Sequence, residues 1–222
     1  MKKIPVLMLL TFVIVMSCSK KETDDNTNTT PTTSTSSNSI GGDGNLTSNA
    51  VGYSYYCSTN MTGVTATSVT VTSHDGTGLV TLSIKGKIPT TGNSLTDLVP
   101  SSYVDASGNI DITGKFKNTS EGILDYTNSD GAPFVVVNYN SNVGDKYILN
   151  KSNGQTITRT VTYKSTTDDY PYGLMNIKVI KVEQDSRISG IKKIVYIANH
   201  KYGLVGIEFY MEDGTTKKLN VS

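Results

Sequence analysis

Apolar residues fall into three successive regimes along this chain. Ile4 to Met16 is almost unbroken in its hydrophobicity. From Ser19 to about Asn49 apolar side chains nearly vanish, Ile40 and Leu46 being the exceptions. From Ala50 onward short apolar runs alternate with polar residues at a period of two, the spacing that sends successive side chains to opposite faces of a strand. Leu79 to Ile88 is the clearest case: Val80, Leu82 and Ile84 share one face, and Thr81, Ser83 and Lys85 the other. With Val64 to Ser73 before it and His74-Asp75-Gly76-Thr77-Gly78 between, it predicts a hairpin. Thr156 to Lys164 alternates as well, with Ile157, Val161 and Tyr163 on one face and Arg159 interrupting it. Phe134 to Val137 is continuously apolar, as in a strand covered on both sides.

Further strands are expected at Ala50–Ser58, Ile110–Phe116, Gly122–Tyr126, Val143–Leu149, Ile191–Ala198, Leu204–Met211 and Lys217–Val221. Met175–Glu183 reads as one strand carrying a bulge near Val179 and Ile180. Ser94–Val99 supports at most one helical turn before Pro100 stops it. Thr166 to Gly173 reads as loop. About ten strands and no secure helix predict an antiparallel all-β sandwich or an open or closed barrel.

The opening regime has its own meaning. Lys2 and Lys3 precede an apolar run shorter than the roughly twenty residues a membrane-spanning helix needs, which is the layout of a secretory signal peptide. Val15-Met16-Ser17-Cys18 then resembles the lipobox of bacterial lipoproteins. Val15 matches the aliphatic position, Ser17 the small one and Cys18 the lipidated one, while Met16 departs from the usual small or Leu-like choice. The resemblance implies that residues 1–17 are a cleaved signal peptide and that Cys18 carries a diacylglycerol and an acyl chain of the palmitate type. Lys20-Lys21-Glu22-Thr23-Asp24-Asp25 resembles the charged signals that send Bacteroidota lipoproteins to the cell surface; it also reads as the start of a solvated linker. The implied location is the outer membrane, on its surface or its periplasmic face.

Residues 18–49 are too polar to offset their ordering entropy and read as a disordered tether with a root-mean-square span of roughly 30 Å. Residues 50–222 form the β-rich domain. Losing Lys2 and Lys3 takes the formal charge from +1 to −1, so no basic excess points to nucleic acid. With Cys18 lipidated, Cys57 has no disulfide partner and reads as a buried small hydrophobe.

Candidate chemistry is sparse. His200 sits in the turn Asn199–Gly203, and no second ligand lies at metal-binding spacing. Asp105, Asn109 and Asp111 suggest calcium, but the late bidentate Glu of a calcium loop is missing, and a hairpin turn is the better reading. No cofactor is expected. All thirteen Tyr follow residue 50. Tyr170 and Tyr172, flanking Pro171, are the candidate ligand-binding residues, their rings suiting a sugar or peptide surface; the alternative is that they cap one end of the sheet. Tyr53, Tyr55 and Tyr56 form a second cluster, read as sheet packing.

The stretch Asn199 to Ile207, with the later Asp213-Gly214, resembles the strand-rich C-terminal part of Bacteroidota outer-membrane lipoproteins, a resemblance that implies an envelope location and no activity. A weaker resemblance is to periplasmic lipid-carrier half-barrels. The favoured reading is a lipid-anchored, non-enzymatic domain binding a glycan, protein or lipid ligand. The alternatives are a periplasmic lipid or lipoprotein carrier or assembly factor with a half-barrel, and last a hydrolase using paired acids.

Overall fold

The computed structural model describes residues 39–89, 103–127, 131–186 and 188–222. The expected signal peptide, Cys18, the Lys20–Asp25 stretch and the expected helical turn at Ser94–Val99 lie outside these residues. Fifteen strands run through the described part. In chain order they are β1 (Ser54–Tyr55), β2 (Cys57–Thr59), β3 (Thr65–His74), β4 (Leu79–Lys87), β5 (Asn109–Thr119), β6 (Gly122–Asp125), β7 (Phe134–Asn138) and β8 (Lys146–Asn150). Then follow β9 (Thr156–Lys164), β10 (Tyr170–Tyr172), β11 (Met175–Ile177), β12 (Ile180–Asp185), β13 (Ile191–Asn199), β14 (Gly203–Met211) and β15 (Thr216–Val221).

The strands form a six-stranded sheet, β1-β3-β4-β5-β6-β7, and a seven-stranded sheet, β2-β15-β14-β13-β12-β9-β8, with β10-β11 as a separate pair. All pairings are antiparallel. Each large sheet keeps two edges, so the fold is a sandwich and not a closed barrel. Alternation does what the sequence implies: Val80, Leu82 and Ile84 of β4 and Ile110, Ile112 and Phe116 of β5 point into the space between the sheets. Phe134 to Val137 is buried throughout.

The strand expected at Ala50–Ser58 is two strands in different sheets. Tyr55 ends β1 in the six-stranded sheet, and Cys57 begins β2 in the seven-stranded one. The crossing residue, Tyr56, exposes its side chain while its backbone exchanges two hydrogen bonds with Ser222, at 2.7 and 2.9 Å. Met175–Glu183 also divides, at Lys178 and Val179, into β11 and β12. The supposed loop before it contains β10, so Tyr170–Ile177 folds as a small hairpin across the outer face of the seven-stranded sheet. Ile177, Val179, Val195, Ile197 and Val205 make a second, smaller core beneath it. Gly206 makes this possible: a Cβ there would stand 3.2 Å from the Tyr170 hydroxyl.

The packed part of the chain also starts earlier than composition implies. Ile40, one of the two apolar residues in the polar stretch, is only 5% exposed. The backbone after it is stitched to the β5–β6 turn: Thr119 Oγ1 donates to the Gly41 carbonyl at 2.7 Å, and Ser120 N–H donates to the Asp43 carbonyl at 2.9 Å. Gly44 lies flat on the backbone of Thr77 and Gly78, where any Cβ would collide. Asn49 is fully buried, and its amide nitrogen donates to the carbonyls of Gly44 and Asn118 at 2.7 and 2.8 Å. Residues 40–49 are thus a strap on the domain. Polar side chains hold it through hydrogen bonds, a signal that a hydrophobicity pattern does not carry.

Candidate functional site

The side chains that meet between the sheets do not fill the space completely. A cleft of about 80 Å³ remains near the β1–β2 crossing. Val69, Val80, Leu82 and Phe116 wall it from the six-stranded sheet, and Cys57, Ile207, Leu219 and Val221 from the other. It is partly enclosed, partly open, and no charged residue lines it. β1 is only two residues long; with the backbone of Gly52 and Tyr53 bonded to Val71, the pairing reaches from Val69 to Val71 and covers a minor part of the ten-residue β3. Apolar walls with a few placed polar groups are the usual make-up of a small-molecule site.

One of the lining residues, Asn118, carries a buried side-chain oxygen without a hydrogen-bond partner, unlike most buried polar groups in folded proteins. Cys57 lies in the same wall, 4% exposed, and burial pushes its thiol up to about 11. Such a thiol is protonated at neutral pH and nearly inert. Iodoacetamide at pH 8 should therefore modify Cys57 in the folded chain roughly a hundredfold more slowly than in urea-unfolded chain, measured by mass spectrometry. Equal rates would place the thiol in water.

Behind the cleft lies a buried charge pair that joins the two sheets. Asp125 of β6 and Arg159 of β9 are both fully buried, with Oδ2 and Nη2 3.9 Å apart. Arg159 Nε donates to Gln184 Oε1 at 2.9 Å, and Nη1 donates to the Val135 carbonyl at 2.7 Å. Its guanidinium stands 3.8 Å over the Phe134 ring and 4.9 Å from that of Tyr196. Asp125 Oδ1 accepts from the backbone and hydroxyl of Thr127. Burial holds the Asp125 carboxyl above its ordinary range, with Arg159 and Thr127 pulling the other way.

The tyrosines expected to bind pack partly against the fold. Tyr170 and Tyr172 are half-buried over the second core, and the Tyr172 ring stacks on Tyr202 with centroids 4.9 Å apart. Pro171 is exposed between them. The hairpin tip instead exposes Leu174 and Met175. The two tyrosine clusters, far apart in the chain, meet here: burial raises the Tyr172 phenol, and the phenol of Tyr53 adds to it. Tyr53 in turn meets Tyr55 edge-on at 4.9 Å, and Tyr55 lines the cleft. Tyr172 is therefore a neighbour of the cleft and no part of its wall, and Tyr170 stands over Gly206.

No family model, characterised protein or solved structure matches this chain. The site is thus read from its own chemistry. His200 is an exposed turn residue, next to Asn199, whose Oδ1 accepts the backbone N–H groups of Lys201 and Tyr202. Asp105 spends its oxygens on its own turn, accepting from the backbone of Ser107 and Asn109 and from the Asn109 amide. Asp111 pairs with Lys85 at 3.1 Å on the outer surface. No group of three or more potential metal ligands occurs among the described residues. The cleft was missed by sequence reading because strands from both sheets build it. The lone Cys57, heading a short strand of otherwise polar residues, was the nearest thing to a local sign.

Proposed function

We propose that this chain is a lipid-anchored envelope protein whose β-sandwich receives an apolar group of a ligand in the cleft between its sheets. The observation that carries the reading is the cleft itself, open to solvent yet walled by apolar side chains without a charge. A water-filled apolar recess gains free energy when an apolar group replaces its water. The volume decides between ligand classes. About 80 Å³ is well below the ~300–1,000 Å³ of sites that swallow a drug-sized ligand. It suits insertion of one group from a larger ligand or partner, in preference to carriage of a whole acyl chain as in a half-barrel carrier. The lipobox resemblance at Val15–Cys18 supports the anchor.

Xenon is the first probe, because it enters apolar cavities without directional contacts. Under xenon pressure, NMR shifts should concentrate on the methyls of Leu82, Ile207 and Leu219, and a cleft-filling Leu204→Trp variant of equal stability should abolish them. Shifts spread evenly over the molecule, or unchanged by Leu204→Trp, would sink the reading.

A further inference from the structure

Exposed apolar side chains gather at one end of the sandwich. Gly173 turns the β10–β11 hairpin at a φ of 59°, and Tyr172 pairs with Met175 across it, so Gly173 and Leu174 alone make the turn. The second place of such a two-residue turn ordinarily goes to a polar residue. Here it carries a fully exposed leucine, and Met175 beside it is more than half exposed. Behind them the Tyr172 and Tyr202 rings stack, and the Tyr202 hydroxyl reaches Met175 Sδ at 3.7 Å. Val143, on the β7–β8 loop, is exposed as well.

These loops share a rim with the place where the strap joins the domain. The β5–β6 turn, which holds Gly41 and Asp43, also accepts the Tyr139 N–H on the Glu121 carbonyl at 2.9 Å, where the β7–β8 loop begins. Lys164 Nζ donates to the Ser141 carbonyl of that loop at 2.8 Å, and Lys164 pairs with Ile180, just past the hairpin. Asn199 Nδ2 donates to the Lys178 carbonyl at 2.6 Å, and a Cβ on Gly203 would stand 3.7 Å from the Asn118 amide. The β14–β15 turn, with exposed Thr215, lies at the other end of β14.

Resting on the reading of the chain as lipid-anchored, we propose that this rim docks on the bilayer holding the anchor, with Leu174, Met175 and Val143 entering it where headgroups meet acyl chains. The strap leaves about twenty residues between Cys18 and Ile40, and a flexible polar chain of that length spans roughly 25 Å root-mean-square. The anchor therefore presents this end of the domain to the membrane. Two or three apolar side chains hold a bilayer weakly by themselves, but a tether makes the contact intramolecular, at an effective concentration of about millimolar order. Tyr172 and Tyr202 suit that depth, each with an apolar ring and a polar tip. Lys164, Lys178 and Lys201 share the rim with Asp43, Glu121 and Asp145, so apolar insertion carries the contact and charge adds little.

The test supplies the anchor chemically. The chain from Cys18 to Ser222 is coupled through Cys18 to a maleimide lipid in phosphatidylcholine nanodiscs, the Cys57 thiol being buried. Nitroxide on the lipid headgroups should broaden the methyl signals of Val143, Leu174 and Met175 and spare that of Thr215. Leu174→Ser with Met175→Ser, both at exposed positions, should bring the broadening at Val143 down to that at Thr215, and molar salt should leave the wild-type pattern unchanged. Broadening spread evenly over both ends, or unaltered at Val143 in the double variant, would overturn the docking, since the tether alone would then account for it. Dimers that form without lipid and vanish in the double variant would assign the tip to a second copy instead. A chain that carries no lipid in cells would fail a mass measurement at Cys18 but not this experiment, so the two failures are distinct.

Discussion

Replacing Arg159 with methionine is expected to destabilise the domain by about 3–5 kcal/mol, because it leaves the buried Asp125 carboxyl without the guanidinium beside it. The change also removes the donors to Gln184 and to the Val135 carbonyl. The double variant Arg159→Met, Asp125→Leu should recover most of that loss, since well-packed apolar groups often replace a buried pair at little net cost. Urea titration of the two singles and the double measures this directly. A loss below about 1 kcal/mol in both singles would mean that the pair does not hold the sheets together. The same pair predicts an unusual pH response. Burial raises the folded-state pKa of Asp125, so its contribution to stability is complete below the ordinary Asp range and is lost as pH rises through the folded value. The exposed turn carboxylates Asp75, Asp105 and Asp213 act oppositely: hydrogen bonds hold them below the ordinary range, so their contribution fades as pH falls. Asp125→Asn should remove the first trend and leave the second.

Cys18→Ser is expected to abolish lipidation and to leave the signal peptide uncut. Each acyl CH₂ in the bilayer contributes about 0.8 kcal/mol, and stable anchoring takes two chains, so a wild-type chain cut before Cys18 should stay with the membrane through its lipid alone. Mass measurement of the N-terminus reads both effects: acyl mass on Cys18 in the wild type, and an unacylated chain that keeps residues 1–17 in the variant. A membrane-bound wild-type chain without acyl mass would discard the lipid anchor. Protease treatment of intact cells, with a periplasmic control, then separates the two faces of the outer membrane for the wild-type chain.

The fold was legible where one face of a strand is dry and the other wet. Leu79–Lys87 and Thr156–Lys164 are read nearly to the residue because alternation reports that contrast. Ala50–Ser58 was not divisible by the same means, since Tyr55 and Cys57 look alike in pattern whichever sheet they join. Tyr163 was placed with Ile157 and Val161, which are buried, yet it is 38% exposed. The register between β9 and β12 slips after Val161, and one skipped residue turns every later side chain over. Arg159 was visible as an interruption of an apolar face, but its partner Asp125 lies on the opposite sheet, beyond any local pattern. Tyr170 and Tyr172 stood out for their chemistry, and the second core beneath the hairpin takes up part of each ring, a contact that no local pattern announces.

The strap alters how the domain would answer a mechanical load. With a lipid on Cys18, a pull from the membrane enters the fold at Ile40 and meets the β5–β6 turn, through the bonds of Gly41 and Asp43 to Thr119 and Ser120, before it reaches any strand. Those few hydrogen bonds, one isoleucine and the buried Asn49 amide hold the whole strap. Peeling them away frees about ten residues, or roughly 35 Å of extra length at full extension, while both sheets remain intact. The strap would act as a fuse, letting out slack under tension before the core bears any of it.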